Sequence, residues 1–129
     1  MSAIDTVNAF LAECGESKEA MIAAYRKYFT PATVWENVGM ASTTGAEEAL
    51  GLMANFESQI GMATMKVDML AIAAQGNKVL TERVDHMIKA DGSSSMSVRV
   101  CGIFEVEGDK ITAWRDYFDT AGMAGGQAG

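Results

Sequence analysis

At 129 residues, with 49% apolar and 21% charged residues and a single proline, the chain has the size and composition of one folded domain and not of a disordered tail. A formal charge of −7 without any Lys/Arg cluster argues against a nucleic-acid backbone or an anionic membrane as partner. No apolar run is long enough to span a bilayer, and Met1 to Phe10 lacks a basic start followed by a continuous apolar run, so the expected address is the cytoplasm. Cys14 and Cys101 have no CxxC spacing and His86 is the only histidine, so neither a disulfide framework nor a zinc site of the usual kinds is expected.

From Ala3 to Cys14 the apolar residues Ile4, Val7, Phe10, Leu11 and Cys14 recur at three and four residues, which predicts a helix with one apolar stripe. Gly15 ends it. Ser17, followed by Glu19 and Ala20, starts a second helix whose buried side carries Met21, Ile22, Tyr25, Tyr28 and Phe29, and Pro31 stops it. Ala32 to Met40 contains Thr33, Val34, Trp35 and Val38, types that suit a pleated strand, with Trp35 and Asn37 on one face. Ala41 to Gly45 reads as a small polar turn. Glu47 and Glu48 then stand at the positive end of a third helix, whose apolar positions are Leu50, Met53, Ala54, Phe56 and Ile60. Beyond Gly61 the period changes to two. Four strands are expected there, separated by Gln75-Gly76-Asn77, Asp91-Gly92-Ser93 and Glu107-Gly108-Asp109, each a glycine beside a polar turn residue, as short hairpins require.

This order places the chain in the α+β class. The expected architecture is a strongly curved, largely antiparallel sheet with the three helices of the N-terminal half on its concave face, enclosing an apolar pocket. Residues 1–121 form that single domain, and residues 122–129 are a glycine-rich tail without a fixed shape of its own. The outer sheet face is expected to carry Leu80, Val84 and Ile88 with Glu82 and His86, joined by Leu70, Ile72 and Ile103 from neighbouring strands. Such a face is too apolar to stand in water, so a homodimer through it is expected.

Two stretches carry chemistry. In Thr81-Glu82-Arg83-Val84-Asp85 an arginine and an aspartate sit two apart and project from the same strand face. In Ile111 to Asp119 the last strand brings Asp116, so two aspartates and one arginine meet in a cavity if these strands are neighbours. Trp114 and Phe118 alternate onto the Asp116 face and either wall the pocket or belong to the core. Met53, Met65, Met69, Met87 and Met96 stand under the same alternative, since methionine adapts easily to an irregular cavity. Asp119 falls on the opposite face, and His86 faces away from Asp85.

Thr81-Glu82-Arg83-Val84-Asp85, Val100 to Val106 and Lys110 to Asp119, together with Val34-Trp35-Glu36-Asn37-Val38-Gly39, resemble the limonene-1,2-epoxide hydrolase family in order and spacing from Val34 to Asp119. The resemblance implies a cone-shaped α+β fold shared with nuclear transport factor 2, ketosteroid isomerase and polyketide cyclases, usually dimeric and without a cofactor. It implies that water opens a small apolar epoxide to a diol, with Asp85 as general acid, Asp116 as general base and Arg83 linking them. The family also holds the attacking water with a tyrosine and an asparagine on the first strand. Asn37 matches the asparagine, while Trp35 stands where the tyrosine is expected and offers one N–H donor on a bulkier ring. Two other functions suit the same residues: an isomerase or cyclase in which one aspartate takes a proton beside a carbonyl, and a non-catalytic binder of apolar ligands.

Overall fold

The computed structural model describes residues 2–121; the glycine-rich run of residues 122–129 lies outside the described residues. Helix α1, Ala3–Cys14, starts at Ser2, whose hydroxyl accepts from the Asp5 amide while the Asp5 carboxylate accepts from the Ser2 amide, a reciprocal cap that satisfies donors the first turn leaves open. It buries Val7, Phe10, Leu11 and Cys14. Ser17 caps α2, Lys18–Tyr28, through the Ala20 amide, and Met21, Ala24, Tyr25 and Tyr28 face inward.

Helix α2 runs without a loop into β1, Phe29–Asn37, so Pro31 lies inside the first strand. β1 pairs in parallel with the last strand, β6, Lys110–Tyr117, and that pairing breaks between Phe29 and Val34, where a residue without an N–H removes nothing from the ladder. Thr33 bridges the gap: its hydroxyl donates to the Ile111 carbonyl at 2.6 Å and accepts from the Thr30 amide at 2.7 Å.

The stretch Ala41 to Gly45, expected as a turn, is instead the short strand β2, Ala41–Thr44, antiparallel to β1. The turn comes earlier, around Gly39 with its φ of 82°, and the first strand ends at Asn37 and not at Met40. Ala-Ser-Thr-Thr has no apolar alternation to announce a strand; pairing with β1 decides its conformation. Helix α3, Gly45–Ile60, buries Ala49 and Met53. Strands β3, Thr64–Gln75, β4, Lys78–Ile88, and β5, Ser94–Glu107, then join β6 in an antiparallel meander that turns at the three glycine sites named above.

The six strands lie in the order β2-β1-β6-β5-β4-β3, one open, mixed sheet curved around the three helices as a cone. Between the layers Phe10 of α1 and Tyr25 of α2 pack on Phe29 and Trp114. One face assignment is corrected. A bulge after Met69 shifts the β3 register, so Ile72 pairs with Thr81 on the inner face and packs against the core, while Leu70 stays outside and 52% exposed. Among the described residues no helix is long and apolar enough to cross a membrane.

Candidate active site

Alternation along β4 turns Thr81, Arg83 and Asp85 to the buried face, and alternation along β6 does the same for Trp114 and Asp116. Register supplies the rest. Asp116 lies opposite Gly102 of β5 on one side and beside Asn37 in the parallel ladder on the other, with Trp35 beside Trp114. The parallel closure of β1 on β6 is therefore what brings first-strand residues to the last-strand aspartate.

Arg83 is fully buried. Its Nε and Nη2 donate to Asp85 Oδ1 and Oδ2 at 3.0 and 2.9 Å, the forked pairing that matches a planar guanidinium to a carboxylate. The same Nη2 donates to Asp116 Oδ2 at 2.8 Å. Nη1 donates to Thr81 Oγ1 at 3.0 Å, and the Thr81 hydroxyl donates in turn to the Gly102 carbonyl at 2.9 Å. The second oxygen of Asp116 accepts from Trp114 Nε1 at 2.7 Å.

Two buried carboxyls thus share one cation, and a single proton makes the trio neutral, the least costly charge state away from water. Burial pushes the Asp116 carboxyl up from its ordinary value, against the Arg83 guanidinium and the Trp114 N–H, which favour its charged form. Burial works to lower the Arg83 pKa, but the carboxylates of Asp116 and Asp85 outweigh it, so the guanidinium is held charged more firmly than usual.

Of these groups Asp85 and Asp116 line a cavity of about 50 Å³, and since one water needs roughly 10–15 Å³ of space, a few waters or a small ligand fit without rearrangement. Asn37, Asp85 and Asp116 are polar lining residues; the walls include five methionines, Met40, Met53, Met62, Met65 and Met87, with Phe56 and Phe118. Trp35 also lines it, and both Trp35 Nε1 and Asn37 Nδ2 are buried without a hydrogen-bond partner. Buried donors are nearly always satisfied, so each marks a place for an acceptor atom.

Of the residues singled out from the sequence, Arg83, Asp85, Asp116, Asn37 and Trp35 come together here, and Phe118, Met53 and Met87 stand in the walls. Trp114 is not a lining residue: its indole is stacked between Trp35 and Phe104, 4.9 Å from each ring centre, and serves Asp116 from behind. Met69 also stands away from the cavity, opposite Arg83 on β3 and packed against the core. His86 is on the outer face, bonded to Ser97 and Asp68, and Asp119 lies past the end of β6, where it accepts from the Ala121 amide. The sequence reading leaves out Met40, which the Gly39 turn carries to the cavity, and Thr81, whose signal was its place two residues before Arg83 on the same face. Among the described residues no group of three or more His, Cys, Asp or Glu side chains is placed to share a metal ion.

The family model of the limonene-1,2-epoxide hydrolase catalytic domain matches residues 1–128. Epoxide hydrolase EphG of Mycobacterium tuberculosis (strain ATCC 25618 / H37Rv) is 39% identical over 90 residues, which is 70% of this chain and 57% of that protein, so the match spans little more than half of the relative. Among solved structures, an LEH-like epoxide hydrolase of M. tuberculosis superposes with a TM-score of 0.75 at 33% identity, over 96% of this chain and 87% of that one. A SnoaL-like protein from Jannaschia sp. CCS1 (TM-score 0.73, 16% identity, 95% and 88% covered) shares the fold. So does an NTF2-like protein from Cytophaga hutchinsonii ATCC 33406 (TM-score 0.71, 18% identity, 96% of both chains covered). With a match along nearly its whole length, the chain belongs to the limonene-1,2-epoxide hydrolase family.

Proposed function

We propose that the chain adds water to a small, neutral, apolar epoxide in one step to give a vicinal diol, without a cofactor, with Asp85 as general acid, Asp116 as general base and Arg83 holding both. One observation carries this reading: two buried carboxyls that share one guanidinium and line an apolar cavity, together with two unpartnered N–H donors. Family membership supports epoxide and water as the reactants.

An aspartate whose pKa burial has raised is a stronger base than an exposed one, provided enough of it is ionised, and Arg83 and Trp114 favour that form. A water beside Asn37 donates one O–H to Asp116 and accepts from Asn37 Nδ2, with Trp35 Nε1 as a second donor to cavity water. Its free lone pair attacks an epoxide carbon as its proton passes to Asp116. The C–O bond breaks on the opposite side, and the departing oxygen takes the proton of Asp85. Water has then been added across the bond, Asp116 holds a proton and Asp85 has lost one; return of that proton through cavity water resets the site. Arg83 stays charged throughout, so whichever carboxyl is ionised faces a cation.

Turnover of a panel of small apolar epoxides and enones, by wild type and Asp116→Asn, tests this reading. Diol from at least one epoxide, lost in the variant, is expected. Bond migration in an enone without diol formation, or ligand binding without any turnover, would point to proton abstraction beside a carbonyl or to a binding module instead.

We also infer that the outer sheet face pairs two copies of the chain. Leu80 and Tyr117 are 44% and 45% exposed there, around a shallow groove that also includes Ile103, Ala71 and Ala73. Charges beside it come in opposite pairs, Glu82 with Arg99 and Glu105 with Arg115. A locally balanced face lets two molecules that each carry −7 meet without repulsion at the contact.

A further inference from the structure

Gly102 stands in the middle of β5, in a backbone conformation that is not left-handed, so neither a turn nor a positive φ calls for glycine there. A glycine inside a strand often marks a place where another group approaches the backbone closely. Here the approaching groups are those of the proposed reaction. Cross-strand pairing sets Thr81 of β4, Gly102 and Asp116 of β6 in one row on the buried face. A Cβ built on Gly102 would stand 2.5 Å from Arg83 Nη1, nearer still to Asp116 Oδ1, and 3.3 Å from Thr81 Oγ1.

Neither neighbour is a loose chain end that can swing aside. Arg83 is tied through Nε, Nη1 and Nη2 to Asp85, Thr81 and Asp116, and Asp116 is pinned on both oxygens by Arg83 and Trp114. The Gly102 carbonyl adds a second hold, because it accepts the hydroxyl of the same Thr81 that receives Arg83 Nη1. Asp85 is bonded through Nε and Nη2, the far side of the guanidinium from Nη1, and the three atoms nearest the added Cβ belong to Asp116, Arg83 and Thr81, not to Asp85.

We infer that Gly102, with Thr81 on its carbonyl, is the positioning element that sets how closely the Arg83 cation approaches the Asp116 base. The proposal rests on the epoxide hydrolase reading for its effect on turnover, but its geometric part stands independently. A methyl group at residue 102 separates Asp116 from Arg83 and leaves Asp85 in place. The ionisable groups around Asp116 are Arg83 and Asp85 of β4 and Tyr25 of α2, and the substitution removes none of them.

The test compares wild type, Gly102→Ala, Thr81→Val and Thr81→Ser. The Asp116 midpoint is followed by carbon NMR of aspartate labelled at the carboxyl, assigned with Asp116→Asn, and kcat/KM is followed against pH on an epoxide the wild type hydrolyses. An arginine beside an aspartate lowers its pKa by roughly 1–3 units, so partial separation in Gly102→Ala is expected to move the Asp116 midpoint up by about one unit and the acid limb of kcat/KM with it, with roughly tenfold lower activity on that limb. Thr81→Val should shift both in the same direction by less, and Thr81→Ser should restore them. A folded Gly102→Ala with wild-type midpoint and pH profile overturns the proposal. If Gly102→Ala does not fold, a Thr81→Val protein indistinguishable from wild type overturns it, and a shift in Thr81→Val that Thr81→Ser abolishes supports it. A wild type inert on every epoxide would sink the hydrolase reading alone, because the NMR midpoints still decide the positioning.

Discussion

Arg83 Nη2 donates to both Asp85 and Asp116, so neither carboxyl changes without altering the charge balance of the other. Asp85→Asn and Asp116→Asn should each lower kcat by roughly 10² to 10⁴, the usual contribution of one general acid or base, with unchanged circular dichroism. Stability moves differently. A carboxyl whose folded pKa is raised favours the fold in its protonated form, and that contribution fades as pH rises from the ordinary carboxylate range through the higher folded value. At neutral pH Asp116→Asn should therefore melt no lower than wild type, and any gain should vanish in acid, where both proteins carry a neutral side chain. Arg83→Met does the reverse. It leaves two buried carboxyls without a cation, and urea unfolding at neutral pH should show a loss of about 3–5 kcal/mol, smaller in acid as the carboxyls take up protons. The Arg83–Asp85 pairing was legible as two residues sharing a strand face, whereas the Trp114 N–H on Asp116 was not, because alternation gives a side chain's face but not which end of a ring meets a neighbour.

At the level of elements, the helices and the meander were readable because each is announced locally, by a three-to-four repeat or by a glycine beside a polar turn residue. The parallel closure of β1 on β6 and the strand β2 have no such signal. Both depend on partners far along the chain or on backbone pairing alone, and with them went the reason Asn37 lies beside Asp116. The bulge after Met69 was equally silent, and one extra residue turned Ile72 from the outer face to the inner. Thr33 is the residue on which the β1 closure leans, being fully buried and bonded to Ile111 and Thr30. Thr33→Val leaves those partners unsatisfied and should cost about 1–3 kcal/mol in chemical unfolding. Loss of kcat in that variant beyond the loss of folded protein would show that the closure also places Asn37.

For the whole molecule, the cone joins an apolar cavity on its inner side to an apolar patch on its outer side through the same central strands. Leu80→Lys puts a charge into the outer patch and is expected to convert a dimer to monomers in sedimentation velocity, while the cavity on the other face keeps its activity. A wild type that sediments as a monomer at high concentration would remove the dimer from the account. The meeting of Arg83, Asp85 and Asp116 was legible from two short motifs, but the cavity's dimensions were not, because they depend on how five methionines from different elements meet. The central claim, direct attack by a water that Asp116 deprotonates, is tested most directly by a single turnover in oxygen-18 water with enzyme in excess over epoxide. One labelled oxygen is expected in the diol on that first turnover; unlabelled diol, with the label appearing in an aspartate carboxyl, would reveal a covalent ester and rule out direct attack.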